Sequence, residues 1–199
     1  SIAICGSNSI PYATLYLGAL RAGVVVAPLA PSSTATGLMT MIRDSAARLV
    51  FVDQAVGEAL ATVNASEQVR LLSMDDSQAE QGFSAWLDDG KPAPVSITAD
   101  MAFNIIYSSG TTGEPKGIVQ SHGMRWSHIQ RGLVFGYGPD CVTLISTPLY
   151  SNTTLVSFLP TLGLGGTVVL MAKFDGAAYL KLAEQHRVTH TMLVPVQYQ

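Results

Sequence analysis

Charge is scarce in this chain. Only 13% of its 199 residues are Asp, Glu, Lys or Arg, eleven basic against fourteen acidic, for a net charge of −3. No run of Lys/Arg occurs, so the basic footprint of a nucleic-acid binder is missing. Cysteine is scarce too: Cys5 and Cys141 stand far apart in no ligand spacing, which fits reduced thiols in a cytoplasmic protein. The chain from Cys141 to Ala172 carries no charge, yet it lacks an apolar run of membrane length. Pro148, the polar Ser151 to Thr154 cluster, Pro160 and the Gly163/Gly165/Gly166 group break every window near 20 residues, so it reads as a buried β-α-β unit with room for an apolar group. There is no initial Met and no signal segment; the chain starts inside one strand and stops just after another, as if cut from something longer.

What the chain has in quantity is apolar surface, 48% of residues. A chain of this size buries about 70% of its unfolded surface, so no disulfide or metal staple is required.

The pattern alternates strands and helices. Ser1 to Gly6 reads as a strand ending in a Gly-Ser-Asn-Ser turn, and Tyr12, Leu15, Tyr16, Ala19 and Leu20 then recur at helical spacing up to Gly23. Val24 to Leu29 is a β-branched run of the kind buried on both sheet faces. Helices over about 36–46 and 54–63, with strands over 49–52 and 69–72, repeat the unit and argue a parallel sheet covered on both faces. The polar stretch 73–99, with Asp75, Asp76, Glu80, Asp88 and Asp89, reads as a solvated connection around a short helix rather than an acidic metal site. Further on, the pattern predicts a helix over about 123–133, a strand over 142–146, a helix over 152–164 broken near Pro160, a strand over 166–171, a helix over 177–186 and a strand over 189–194. His186 and His190 straddle a helix end, and His122 and His128 lack a third ligand, so no histidine metal site is expected. Arg125 and Arg131 read as a solvated helix face.

One stretch carries chemistry: Tyr107-Ser108-Ser109-Gly110-Thr111-Thr112-Gly113-Glu114-Pro115-Lys116-Gly117. Gly110 and Gly113 let backbone amides approach a ligand closely, four hydroxyls add donors, Pro115 stiffens the exit, and Lys116 brings a compact cation. It is not a Walker loop, since Pro115 falls where the second Gly belongs and Gly117 follows the lysine. Apolar runs on both sides predict strand–loop–strand, so no helix macrodipole helps and the loop itself must hold polyphosphate. Glu114 is expected to face solvent.

These eleven residues resemble the signature loop of the AMP-binding, adenylate-forming enzymes, which include acyl-CoA synthetases, aryl-CoA ligases, luciferases and peptide-synthetase adenylation domains. The resemblance implies the layered α/β large N-terminal domain of that family, with parallel and mixed sheets. It divides here into a first subdomain over about 1–135 and the start of a second over about 136–199. It implies ATP, Mg²⁺ and CoA as reaction partners of a carboxylic acid, fatty or aromatic. Ser108, Ser109, Gly110, Thr111, Thr112, Gly113 and Lys116 would hold the phosphates, with Lys116 catalytic. Pro148, Leu149 and Tyr150 are similar to a segment beside the family's carboxylate site, with Ser151 where its His usually stands. Tyr150, Ser151 and Asn152 are therefore candidates for the acid pocket, and at Ser151 a helix N-cap stays open beside that role. Downstream family segments have no counterpart before Gln199, so this stretch alone is expected to be inactive and, with sheet edges uncovered, to self-associate. Two readings outside the family also stay open. One is a phosphotransferase with a variant loop, for which Asp53 is the candidate metal ligand; the other is a non-catalytic nucleotide-binding module.

Overall fold

The computed structural model describes residues 1–65, 68–75, 82–109 and 115–198. It has two compact units, one formed by Ser1–Gly6 with Pro11–His122, the other by Ser7–Ile10 with Gly123–Gln199.

The first unit is a six-stranded sheet in the order β4-β3-β1-β2-β5-β6. Its strands are β1 (Ile2–Cys5), β2 (Val26–Leu29), β3 (Leu49–Val52), β4 (Arg70–Ser73), β5 (Ala102–Ser109) and β6 (Pro115–Ser121). The first five run parallel to their neighbours and β6 pairs antiparallel with β5. The helices are α1 (Ile10–Arg21), α2 (Ala35–Asp44), α3 (Gln54–Ala61) and the short α4 (Phe83–Trp86). Alternation sends Ala3, Cys5, Ala27, Leu29, Val50 and Val52 to one face, where they pack with Leu38 and Ile42 of α2 and Leu60 of α3. Phe51 points the other way and meets the Trp86 ring of α4 edge-on at 4.9 Å. Both faces are therefore covered, as the apolar runs require. Thr34 caps α2 by accepting from Gly37 N–H, and Asp53 caps α3 by accepting from Val56 N–H.

The second unit holds a parallel sheet, β8-β7-β9. Its strands are β7 (Val142–Ile145), β8 (Thr167–Leu170) and β9 (His190–Met192), with α5 (His122–Gly132), α6 (Asn152–Gly163) and α7 (Gly176–Gln185). The uncharged stretch is the β7-α6-β8 unit, with Leu144, Ile145, Leu155, Phe158 and Leu159 buried. No helix among the described residues is long and apolar enough to cross a membrane.

The structure corrects three expectations. Helix α6 does not break at Pro160 but runs on to Gly163. The proline ring packs where Gly132 leaves space, and Thr161 Oγ1 adds a bond to Ser157 O at 2.7 Å in the same turn. Arg125 is not on a solvated face: it is fully buried, while Arg131 is exposed. Finally, the strands reach into the signature stretch, so Ser108, Ser109, Pro115 and Lys116 are ladder residues and only 110–114 connect them.

Candidate functional site

The hairpin β5–β6 presents the signature. Ser108 pairs with Lys116, Ser109 with Pro115 and Tyr107 with Gly117. Gly110, Thr111, Thr112, Gly113 and Glu114 lie outside the described residues, as does the side chain of Ser109. The two described ends of the loop are therefore held at ladder spacing. Ser108 and Lys116 are both exposed, leaving a hydroxyl and an ammonium free to meet an anion. This strand–loop–strand setting is the one that separates the loop from a Walker motif.

Beneath the loop, Tyr107 anchors the hairpin. Its hydroxyl lies 2.6 Å from Asp44 Oδ2, to which it donates, and 3.0 Å from Met41 O, both at the C-terminal end of α2. Burial raises the Tyr107 phenol pKa well above its ordinary value of 10, and the Asp44 carboxylate pushes it in the same direction. Deeper in the ladder, Asn104 and Gln120 face each other, both buried. His122 closes the strand with its ring edge-on to Phe103 at 4.9 Å, and burial depresses its pKa.

Asp53 stands at the end of β3, where it caps α3. Strands β1 and β2 lie between β3 and β5, so this carboxylate is about three strand spacings, roughly 14 Å, from the hairpin ladder. Cys5 beside it is buried, and burial with the Asp53 charge pushes its thiol up to about 12. Among the described residues no group of three His, Cys, Asp or Glu could hold a metal ion.

In the second unit, the segment after β7 is held from the other end of the chain. Asn8 Nδ2 donates to Thr147 O at 2.9 Å and to Met171 O at 3.1 Å, while its Oδ1 accepts from Leu149 N–H at 2.8 Å. One buried amide thus fixes the Thr147-Pro148-Leu149 backbone ahead of the candidate acid residues. Ser151 occupies the N-cap position of α6 but makes no side-chain capping bond. Tyr150 and Ser151 are half-buried and Asn152 is exposed.

A cavity of about 540 Å³ opens farther along α6, lined among others by His128, Arg131, Tyr137, Ser157, His190 and Met192. Tyr150, Ser151 and Asn152 are not among its lining residues. Two of its lining residues carry a polar atom that is buried without a hydrogen-bond partner among the described residues, Ser157 Oγ and His128 Nδ1, both closed off from the cavity surface. His128 is held toward its neutral form by burial and by the Arg125 and Arg131 charges. His190 is fixed on three sides. Its ring stacks on Tyr137 with centroids 4.5 Å apart, Nδ1 lies 2.7 Å from Thr189 Oγ1, and Nε2 lies 3.0 Å from Phe135 O. A carbonyl can only accept, so Nε2 carries the hydrogen.

Sequence reasoning had no means of finding Asp44, Asn8 or Ser157. Asp44 and Ser157 lay unremarked inside helical stretches, and Asn8 showed only as a turn residue.

The whole chain, residues 1–199, matches the family model described as AMP-binding enzyme. It is 30% identical to a feruloyl-CoA synthase of Amycolatopsis sp, over 100% of this chain and 39% of the relative. It is 32% identical to 4-coumarate--CoA ligase 3 of Arabidopsis thaliana, over 98% of this chain and 36% of the relative. The ATP-bound structure of MatB from Rhodopseudomonas palustris superposes with a TM-score of 0.83 at 27% identity, covering 100% of this chain and 40% of that one. The chain therefore spans about two fifths of the length of the relatives it matches.

Proposed function

This chain belongs to the AMP-binding enzyme family, and from that premise we propose that the full-length protein uses ATP to activate a carboxylic acid. The carboxylate oxygen bonds to the α-phosphorus as the α–β anhydride bond breaks and pyrophosphate leaves; a thiol such as that of CoA then displaces AMP from the acyl carbon. The observation that carries this reading is the β5–β6 hairpin, with exposed Lys116 directly across from exposed Ser108 at the two ends of the Gly/Thr-rich connection.

The obstacle in such a reaction is one anion approaching another. Donors fixed before the substrates meet reduce it, because they need no reorganisation as charge shifts. Residues 108–113 and Lys116 supply hydroxyls, amides and an ammonium for the phosphates. Mg²⁺ would come with the nucleotide, held largely by its phosphate oxygens, and would neutralise phosphate charge there. The hairpin lies in the first compact unit and the cavity given to the acid in the second, whose main run starts at Gly123 rather than near 136.

For the acid we infer that its body enters the α6 cavity, whose volume suits a ligand of drug size. The cavity is lined by the aromatic rings of Phe135, Tyr137 and His190 together with Val156 and Met192, which suits a flat apolar body. An acid built on an aromatic ring, of the kind two relatives are named for, is the class this lining fits. Tyr150 to Asn152 then line its approach.

The test is acid-dependent ATP/pyrophosphate exchange by the full-length protein. Hydroxycinnamic acids should support exchange better than saturated fatty acids. Lys116→Ala should slow it at least tenfold, the equivalent of about 1.5 kcal/mol of charge-assisted hydrogen bonding. Unchanged exchange in Lys116→Ala removes the role given to the loop. Release of ADP marks a phosphotransferase, and absence of both exchange and binding heat with Mg²⁺ and ATP leaves a non-catalytic module. The 199-residue stretch alone should form no acyl-adenylate. It should also self-associate along the edge strand β6, where Ile118 and Val119 are exposed; a monomer in light scattering at high concentration refutes that.

A further inference from the structure

Helix α2 ends in Asp44, a carboxylate in the turn where backbone carbonyls already concentrate negative charge. That placement is unfavourable for the helix itself. Its Oδ2 accepts the Tyr107 hydroxyl at 2.6 Å, and Met41 O stands 3.0 Å from the same hydroxyl. Tyr107 and its cross-strand partner Gly117 are the ladder pair just below Ser108 and Lys116. Beyond them the side chains of Ser108 and Lys116 are exposed, and the Tyr107 hydroxyl ties this end of β5 to α2. An unsupported two-stranded end is marginally stable and free to twist. With the phenol tied to α2, the hairpin base has one position, and Lys116 projects from one place.

We propose that Asp44 is a positioning residue for adenylation: through the Tyr107 hydroxyl it fixes the base of the hairpin that presents Ser108 and Lys116 to the nucleotide. The inference rests on the reading of 107–117 as the phosphate-holding loop. It adds a residue more than sixty positions upstream of that loop. A displacement of about 1 Å in a group that positions substrate lowers rates by as much as a hundredfold, so a modest loosening is measurable.

The experiment compares Asp44→Ala, Asp44→Asn, Tyr107→Phe and the Asp44→Ala/Tyr107→Phe double variant of the full-length protein. It reads kcat and KM for ATP and for the acid in pyrophosphate exchange, with thermal unfolding alongside. Asp44→Ala and Tyr107→Phe should each lower kcat/KM for ATP about tenfold and leave KM for the acid unchanged. The double variant should be no worse than either single, because both remove the same bond. Asp44→Asn keeps a carbonyl acceptor and should recover most of the loss. Tyr107→Phe keeps the ring over Gly117, so it folds even where Asp44→Ala does not. The proposal is overturned by folded Tyr107→Phe with wild-type kcat/KM for ATP, by multiplicative effects in the double variant, or by Asp44→Asn as impaired as Asp44→Ala. If Lys116→Ala impairs exchange while the pair variants do not, only this inference fails; if Lys116→Ala is also harmless, the phosphate-loop reading fails with it.

Discussion

Gly117 lies directly across the β5–β6 ladder from Tyr107, and the tyrosine ring covers it. A Cβ built on Gly117 would stand 3.1 Å from Tyr107 Cε1, 3.0 Å from Asp44 Oδ2 and 3.0 Å from Ile105 Cγ2. Any side chain at this position would press on all three. An aromatic residue laid across a strand glycine also restores packing that the missing side chain loses.

Gly117→Ala therefore sets a methyl against three side-chain atoms that must each give by a few tenths of an ångström. Although alanine favours a strand by about 0.5–1 kcal/mol, overpacking of this kind costs about 1–3 kcal/mol. We expect a net loss on the order of 1 kcal/mol, seen as a lowered urea midpoint with unchanged slope. A raised midpoint would show that the ring and carboxylate yield freely.

Gly166→Ala should be far more severe. A Cβ there would stand 2.3 Å from Cys141 Sγ and 2.9 Å from the carbonyl oxygens of Cys141 and Gly138. Backbone cannot step aside as a side-chain end can. We expect a loss of at least about 3 kcal/mol, measured as a drop in Tm or in soluble yield.

Ser157→Ala tests the cost of a buried hydroxyl. The hydroxyl is fully buried without a partner, so its removal should be neutral or stabilising by about 1 kcal/mol. The same change should leave KM for ATP and for the acid alone, since the hydroxyl presents no surface to a ligand. A fall in Tm would mean that Ser157 is already satisfied within the protein.

Acidification should destabilise the fold through His128. Its pKa is lowered from 6.5 by burial first, then by Arg125 and Arg131. The unfolded chain takes up this proton near pH 6.5 and the folded chain only below it, so stability rises with pH across that window. It is lost as pH falls through 6.5 toward the folded value, and His122 acts in the same sense. Tm followed against pH should decline less for His128→Gln than for wild type; identical slopes would remove the assignment.

Cys5 and Cys141 are both buried free thiols, and the Cys5 thiol is pushed up to about 12. Neither should react with iodoacetamide in the folded protein, and both should react in denaturant. Labelling of native Cys5 at neutral pH would contradict its placement in the sheet.

Periodicity alone determined much of this protein. The spacing of Tyr12, Leu15, Tyr16, Ala19 and Leu20 marked the buried face of α1, and all five are buried. The β-branched and apolar runs marked buried strands, because backbone geometry repeats every 2 or 3.6 residues whatever surrounds it. The signature stretch was likewise legible, since glycines, hydroxyls, a proline and a lysine at fixed spacing answer a local need.

Tertiary structure alone decided what depends on residues distant in the chain. Whether Arg125 met water, whether α6 ran through Pro160, and which hydroxyl of α6 was left without a partner were settled by what packed opposite. Asn8 gained its three bonds from groups some 140 to 160 positions away, and Asp44 met Tyr107 only because the sheet order brings β5 and β6 beside α2. Local pattern fixes which face of an element is apolar; only the closed fold fixes which polar atom on that face finds a partner, because a hydrogen bond requires two groups within about 3 Å in a stated direction.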